Sequence, residues 1–250
     1  GIPIKIRACD TLGLGVSYPG VALPRSVPGI AYGLWHYAGF PSEMLEWHGH
    51  NDFYRAVVNA GTAWLYGISA ANCTLLGIGE RTGNTPLEAM VFEYAALRGT
   101  LDGMDTTVIT EIANYYRDEI GYDIPPMTPL VGADFNTTRA GIHADGLLKD
   151  KEIYTVFNTE LLLNAPIRVM VNQASGAAGL LHWIKTEFRV PDSYRLDKRD
   201  PRLTPVLAWI EDEYKGGRVS GITDLELRTA LSTLAPDLLA ELKGLTKPAD

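Results

Sequence analysis

Cysteine is scarce. The chain has two, Cys9 and Cys73, far apart and without a Cys-x-x-Cys or zinc-finger spacing. That argues against a disulfide framework and points to reduced thiols in a cytoplasmic protein. Positive charge is also in deficit, with 22 Lys plus Arg against 30 Asp plus Glu, a net charge of −8 and a pI near 5.2. With no basic run to follow a phosphate backbone, nucleic acid is not an expected partner. Uninterrupted hydrophobic runs are missing too. The longest apolar stretches, such as residues 63–78, are broken by Gly, Ser and Asn and lack the flanking charges of a span, so no membrane association is expected. No signal-peptide pattern opens the chain, and it begins at Gly1 rather than Met, which reads as a processed, trimmed or partial polypeptide. What is there is 250 residues at 46% apolar composition, enough for one large domain or two modest ones.

Histidine is sparse as well, yet two of the five lie together in Glu46-Trp47-His48-Gly49-His50-Asn51-Asp52. In an extended strand, residues i and i+2 point to one face, so His48 and His50 would present adjacent imidazoles in one direction. That arrangement suits a metal ion. A bare His-x-His reads equally well as a strand end with two exposed histidines, and its surroundings must decide between the two.

The first hundred residues alternate short strands with helices. Strands are expected at residues 4–9, 44–47 and 63–68, and helices at about 25–37 and 53–60, the latter with Asp52 near its N-cap. Thr85 as N-cap, Pro86 at the first helical position and Glu88 three residues on predict a capping box and a helix to about Arg98. Such alternation implies a parallel sheet whose chemistry gathers in the loops at the carboxyl ends of the strands. From about Asp105 the pattern turns to helices and loops. Asp105 caps a helix that Gly121 stops, and a proline-rich linker follows at 124–129. Residues 139–146 read as a tightly packed functional loop around His143. A strand is expected at 167–171 and a helix at about 175–188. Two capped helices close the chain, starting at Asp200-Pro201 and at Thr223, the latter with Glu226 at N3. His36 and His182 fall in helical patterns and read as packing residues.

Gly77-x-Gly79-x-x-x-Gly83 ahead of a helix could cradle an anion on backbone amides, although such glycines more often serve tight turns. In order, however, Asp10-Thr11-Leu12-Gly13, His48-Gly49-His50-Asn51-Asp52, Gly77-Ile78-Gly79-Glu80-Arg81-Thr82-Gly83-Asn84 and Gly141-Ile142-His143-Ala144-Asp145-Gly146 resemble the acetyl-CoA-dependent Claisen condensation family. That family contains 2-isopropylmalate, homocitrate and Re-citrate synthases. Residues 47–53, 62–67 and 86–91 look most like the Re-citrate synthase branch. The resemblance implies that His48 and His50 ligate a divalent metal (Mn²⁺, Mg²⁺, Co²⁺ or Zn²⁺) that polarises the ketone of a 2-oxo acid. It further implies that Thr11 binds the substrate carboxylate, that Arg81 and Asn84 of the glycine loop bind substrate, and that His143 assists proton transfer, typically in the neighbouring subunit of a dimer. The chemistry agrees, since condensing an acetyl thioester with a ketone needs a base and a polarised carbonyl.

An eight-stranded barrel takes about 250 residues, yet only about three strand–helix units are visible. The expected fold is therefore α/β: the C-terminal portion of a TIM (β/α)8 barrel, about three βα units, followed by mainly helical subdomains. The expected divisions are 1–104, 105–190 and 191–250. The resemblance places the third protein ligand, an aspartate, and an enolate-stabilising arginine on a first strand that this chain lacks, so a missing N-terminal barrel half is an expected partner, from the same gene or as a separate subunit. A tyrosine that some members carry after the histidine loop has no clear match, with Tyr154 a candidate substitute. Three strands alone would leave open edges and an exposed apolar inner face. The expected reaction is condensation of acetyl-CoA with oxaloacetate to citrate. The alternatives are 2-isopropylmalate or homocitrate synthesis and, from another class, a catalytically silent subunit or fragment.

Overall fold

The computed structural model describes residues 2–150, 155, 157–191 and 193–245. The chain forms two compact units: Gly1–Tyr122 with Pro129–Val131, and Asp123–Thr128 with Gly132–Asp250. Among the described residues no helix is long and apolar enough to cross a membrane.

In the first unit, β1 (Ile6–Asp10), β2 (Leu45–Gly49) and β3 (Ala70–Asn72) form a parallel sheet in the order β1-β2-β3. The register sets Cys9 opposite His48 and His48 opposite Asn72. Alternation along each strand sorts the side chains by face. Ile6, Ala8, Leu45, Trp47 and Ala71 turn toward a core shared with Val27 and Ala31 of α1 (Val27–Tyr32), Ala60 and Ala63 of α2 (Ala56–Leu65), and Met90 of α3 (Leu87–Arg98). The opposite face carries Lys5, Arg7, Cys9, Glu46, His48 and Asn72, so the expectation of an exposed apolar inner face is overturned. That face is polar because the apolar members of each strand are spent under the helices. Leu45 is fully buried, and Leu45→Ala should cost about 2–5 kcal/mol, a large part of the ~5–15 kcal/mol that holds a domain folded. Urea denaturation measures this, and an unchanged midpoint would contradict the packing described.

Several local expectations also fail, each for a tertiary reason. Residues 63–65 continue α2 rather than forming a third strand, because a short apolar run fits a buried helix as well as a strand. Gly67, at φ 104°, then turns the chain into β3. The Thr85–Glu88 capping box does not form. The Thr85 hydroxyl donates to the Gly49 carbonyl at 3.2 Å, the Glu88 carboxylate accepts from Leu76 N–H at 3.1 Å, and Pro86 occupies the N-cap itself. Asp52 is taken by Arg81, so Asn51 Oδ1 instead accepts from Ala56 N–H at the start of α2, at 3.3 Å. His36 is exposed, with its ring centroid 4.2 Å from each of Tyr32 and Trp35, rather than packed inside. The helix expected after Asp105 does form, as α4 (Val108–Asp118), and it packs within the first unit. Asp105 Oδ1 accepts from Thr107 N–H at 3.0 Å just ahead of it.

In the second unit, β4 (Thr137–Thr138) and β5 (Arg168–Val169) pair in parallel. The stretch around His143 is a helix, α5 (Gly141–Lys149), not a loop. Its small residues let it seat Ala144, fully buried, against Val169 and Ala178. After α6 (Thr159–Leu163), a larger core joins α7 (Gly176–Glu187), α8 (Thr204–Lys215), α9 (Asp224–Leu234) and α10 (Pro236–Leu245) through Leu180, Ile184, Val206, Leu227, Leu231 and Leu238. The single last helix expected from Thr223 is two, because Pro236 supplies no N–H to continue α9. Tyr154 lies outside the described residues.

The Thr223–Glu226 capping box is present. Arg218 grips the Glu226 carboxylate from Nη1 to Oε1 and from Nη2 to Oε2, both at 2.7 Å, and Thr223 N–H donates to Oε2 at 2.8 Å. These donors, Arg218 foremost, hold the Glu226 carboxyl down at about 2. The folded value lies below the unfolded value of about 4.3, so the stability it contributes is present above that pH and fades as pH falls toward about 2. Thermal unfolding followed across this window should show a shallower acid loss in Glu226→Gln than in the parent, and equal slopes would contradict the assignment.

Candidate active site

The carboxyl end of β2 brings both imidazoles to one place. His48 Nε2 and His50 Nε2 lie 3.1 Å apart, with the rings at 77° to each other. Gly49 between them has no room for a side chain, since a Cβ there would sit 2.9 Å from Trp47 Nε1. His50 is buried. Asn72 comes alongside His48 through the β2–β3 register, and its Oδ1 lies 2.8 Å from His48 Nδ1. On the other side, Arg81 Nη2 lies 2.8 Å from His50 Nδ1.

These contacts share one consistent polarity. An arginine N–H only donates, so His50 Nδ1 accepts and His50 Nε2 carries the ring proton. That proton faces His48 Nε2, which accepts it, and His48 Nδ1–H donates to the Asn72 carbonyl oxygen. The chain Arg81→His50→His48→Asn72 thus fixes both rings.

Arg81 is itself clamped. Its Nε donates to Asp52 Oδ1 at 2.8 Å, and its Nη2 donates to Asp52 Oδ2 at 3.1 Å and to the Thr11 carbonyl at 2.5 Å. The guanidinium holds the Asp52 carboxyl below the usual carboxylate range. Arg81 takes φ 55°, a left-handed conformation that a long side chain adopts only where its surroundings hold it. The loop around it is closed by Asn84 N–H donating to Gly77 O at 2.9 Å. Gly83 is required there, because a Cβ would lie 2.2 Å from that same carbonyl. The loop is tied to the end of β2 by Asn51 N–H to Gly83 O, 2.9 Å, and Thr85 N–H to Gly49 O, 3.2 Å.

The structure therefore brings together His48, His50, Arg81 and the backbone of Thr11. Asn84 joins them through its main-chain bridge to His50, while its amide packs back over Gly79, with Oδ1 buried and unpaired among the described residues. His143 stands on α5 of the second unit, its Nδ1 3.4 Å from Thr138 Oγ1. Sequence reasoning missed Asn72 and Asn59, and named Asp10 and Asp52 only as motif members without their partners here. Asp10 Oδ2 accepts from Gly15 N–H at 3.0 Å, and the buried Asn59 donates to Gly15 O at 3.0 Å, which together fold the loop carrying Thr11. The signal for Asn72 was its place opposite His48, hidden by the misplaced third strand.

The donor set fits a divalent cation in part. Two imidazole Nε2 atoms converge, and His48 is oriented through its other nitrogen in the way metal-ligating histidines are, whereas a cation on His50 Nε2 would have to displace the proton that the Arg81 contact places there. Among the described residues no cluster of three or more His, Cys, Asp or Glu could hold a metal, so the pair stands as two ligands.

A parallel sheet with a polar constellation at the carboxyl ends of its strands defines an α/β protein of the strand-end active-site class. Residues 4–115 match the family described as HMGL-like. It is 54% identical over 238 residues to citrate (Re)-synthase of Clostridium kluyveri, covering 95% of this chain and 52% of that protein. The citrate (Re)-synthase of Syntrophus aciditrophicus is 52% identical over 238 residues, 95% of this chain and 38% of that protein. The 2-phosphinomethylmalate synthase of Streptomyces hygroscopicus is 38% identical over 225 residues, 89% of this chain and 50% of that protein. The chain spans about half the length, or less, of these curated relatives.

Proposed function

We propose that this chain is the C-terminal portion, the last three βα units and the subdomains behind them, of a (β/α)8 acyltransferase that condenses acetyl-CoA with oxaloacetate to give citrate. The observation that carries the reading is the convergence of His48 and His50 at a strand end in a chain more than half identical to citrate (Re)-synthases. A divalent cation held by the two Nε2 atoms would supply Lewis-acid polarisation of the ketone. Asn72 orients the His48 ring, and with the cation bound His50 carries its proton on Nδ1 and Arg81 stays with the Asp52 carboxylate. Thr11 binds the substrate carboxylate, Asn84 shapes the loop that closes over it, and His143 transfers a proton, serving the partner site of a cytoplasmic homodimer.

β1 and β3 each pair on one side only within the three-stranded sheet. The reading supplies their neighbours from the N-terminal barrel half, on the same polypeptide or a separate one. The isolated 250-residue chain should therefore form no citrate from acetyl-CoA and oxaloacetate, and should form it once the N-terminal half is supplied. Turnover by the chain alone would overturn the incomplete barrel, and inactivity of the assembled protein would overturn the condensation.

A further inference from the structure

The loop that follows β1 is held from beneath by one buried amide. It leaves the sheet at Asp10, whose carbonyl oxygen accepts from Gly13 N–H at 3.2 Å and from His50 N–H at 3.3 Å. It rejoins regular structure at Val16, which bridges to Ser26 ahead of α1. Thr11 and Gly15 lie between those two ends. Asn59, in the first turn of α2, reaches this loop with its whole side chain: Oδ1 accepts from Ser17 Oγ at 2.9 Å, and Nδ2 donates to Gly15 O at 3.0 Å and to Asp10 Oδ2 at 3.5 Å. A carbonyl and an ionised carboxylate only accept, so the amide has one orientation. A Cβ on Gly15 would stand 2.7 Å from Asp10 Oδ2 and 3.2 Å from Asn59 Nδ2, and only glycine lets the loop come this close.

Asn59 is 1% exposed within this chain alone, so its burial needs no further segment or subunit. Asparagine is a poor choice inside a helix, and a buried amide is tolerated only where it is bonded. The other buried side chains in this part of α2 are small and apolar, Ala56, Ala60 and Ala63. A residue serving only helix packing would resemble them. The start of α2 is also fastened to the histidine loop, through Asn51 Oδ1 and Ala56 N–H. One helical turn therefore ties the residue after His50 to the loop that carries Thr11. We infer that Asn59 is a positioning residue: through Gly15 and Asp10 it sets the place of Thr11 relative to His48 and His50, so affinity for the 2-oxo acid depends on a buried amide that does not touch it. The inference rests on the condensing reading above, which gives Thr11 the substrate carboxylate.

The test is a set of variants in the assembled enzyme, each first confirmed as folded by circular dichroism. Asn59→Asp keeps the size of the side chain and the acceptor for Ser17 but removes both donors. It should raise KM for oxaloacetate about 10-fold, the order expected for a lost buried hydrogen bond, with a much smaller change in kcat and with KM for acetyl-CoA and metal affinity unchanged. Ser17→Ala, which removes one bond from the exposed side, should shift KM for oxaloacetate in the same direction by less, and it decides the matter should Asn59→Asp not fold. Because Asn59 acts through Thr11, Thr11→Ala/Asn59→Asp should be no worse for oxaloacetate than Thr11→Ala alone. Unchanged KM for oxaloacetate, a joint loss of both substrates and metal, or additive effects of the Thr11 and Asn59 changes would each overturn the role of Asn59. A parental enzyme that condenses no 2-oxo acid would overturn the condensing reading itself, and the role of Asn59 with it.

Discussion

Replacing His143 with alanine should lower turnover of the assembled enzyme by about 10²- to 10⁴-fold, the usual cost of losing one general acid–base group, while leaving metal affinity nearly unchanged. The reaction moves a proton off a weakly acidic methyl and another onto a new hydroxyl, and histidine is the side chain whose ordinary pKa suits both near neutrality. His143 belongs to a different compact unit from His48 and His50, so the two losses should separate cleanly. The dimer reading adds a sharper expectation. Mixing His143→Ala chains with His48→Ala chains should restore part of the activity, because some mixed dimers then hold one intact site. No recovery from well-mixed heterodimers would mean that His143 serves its own subunit or none. Steady-state kinetics on the two variants, singly and mixed, decides this.

Replacement of His48 or His50 by alanine should abolish condensation rather than slow it. On the proposed reading this chain contributes two ligands and the missing barrel half a third, so removing one imidazole would leave the cation with the other imidazole and one carboxylate. Asn72→Ala should be milder. It frees His48 to rotate and to change tautomer without deleting a ligand, and loss of such an orienting partner typically weakens metal affinity about 10- to 100-fold. The ranking, histidines well above Asn72, is the expected result in metal-dependent turnover. Equal effects, or a stronger effect at Asn72, would contradict the roles assigned to the three side chains.

Much of the site was legible because its signals are local. The i, i+2 spacing of His48 and His50 fixes a shared face wherever a strand exists, and β2 does run into that pair. Gly77 and Gly83 announced a tight loop, and both take positive φ. The unread parts depend on distant partners. Thr85 and Glu88 have capping-box spacing, but Gly49 O and Leu76 N–H, reached only after folding, compete for their side chains. Ala63 and Trp64 are apolar because α2 packs on the sheet, and β3, only three residues long, carries too weak a pattern to outbid that run. That single misplacement hid Asn72, since its pairing with His48 exists only in the correct register. Arg81 was legible as a charged residue in a glycine loop. Its clamp on Asp52, 29 positions earlier in the sequence, was not.

The central claim, that His48 and His50 together hold a divalent cation, is tested most directly by equilibrium dialysis of the metal-stripped assembled protein against Mn²⁺, Co²⁺ or Zn²⁺. The account predicts saturable binding in the parent and its loss in the His48→Ala/His50→Ala double variant, with the variant's folded content confirmed by circular dichroism. Full metal occupancy in the folded double variant would contradict it.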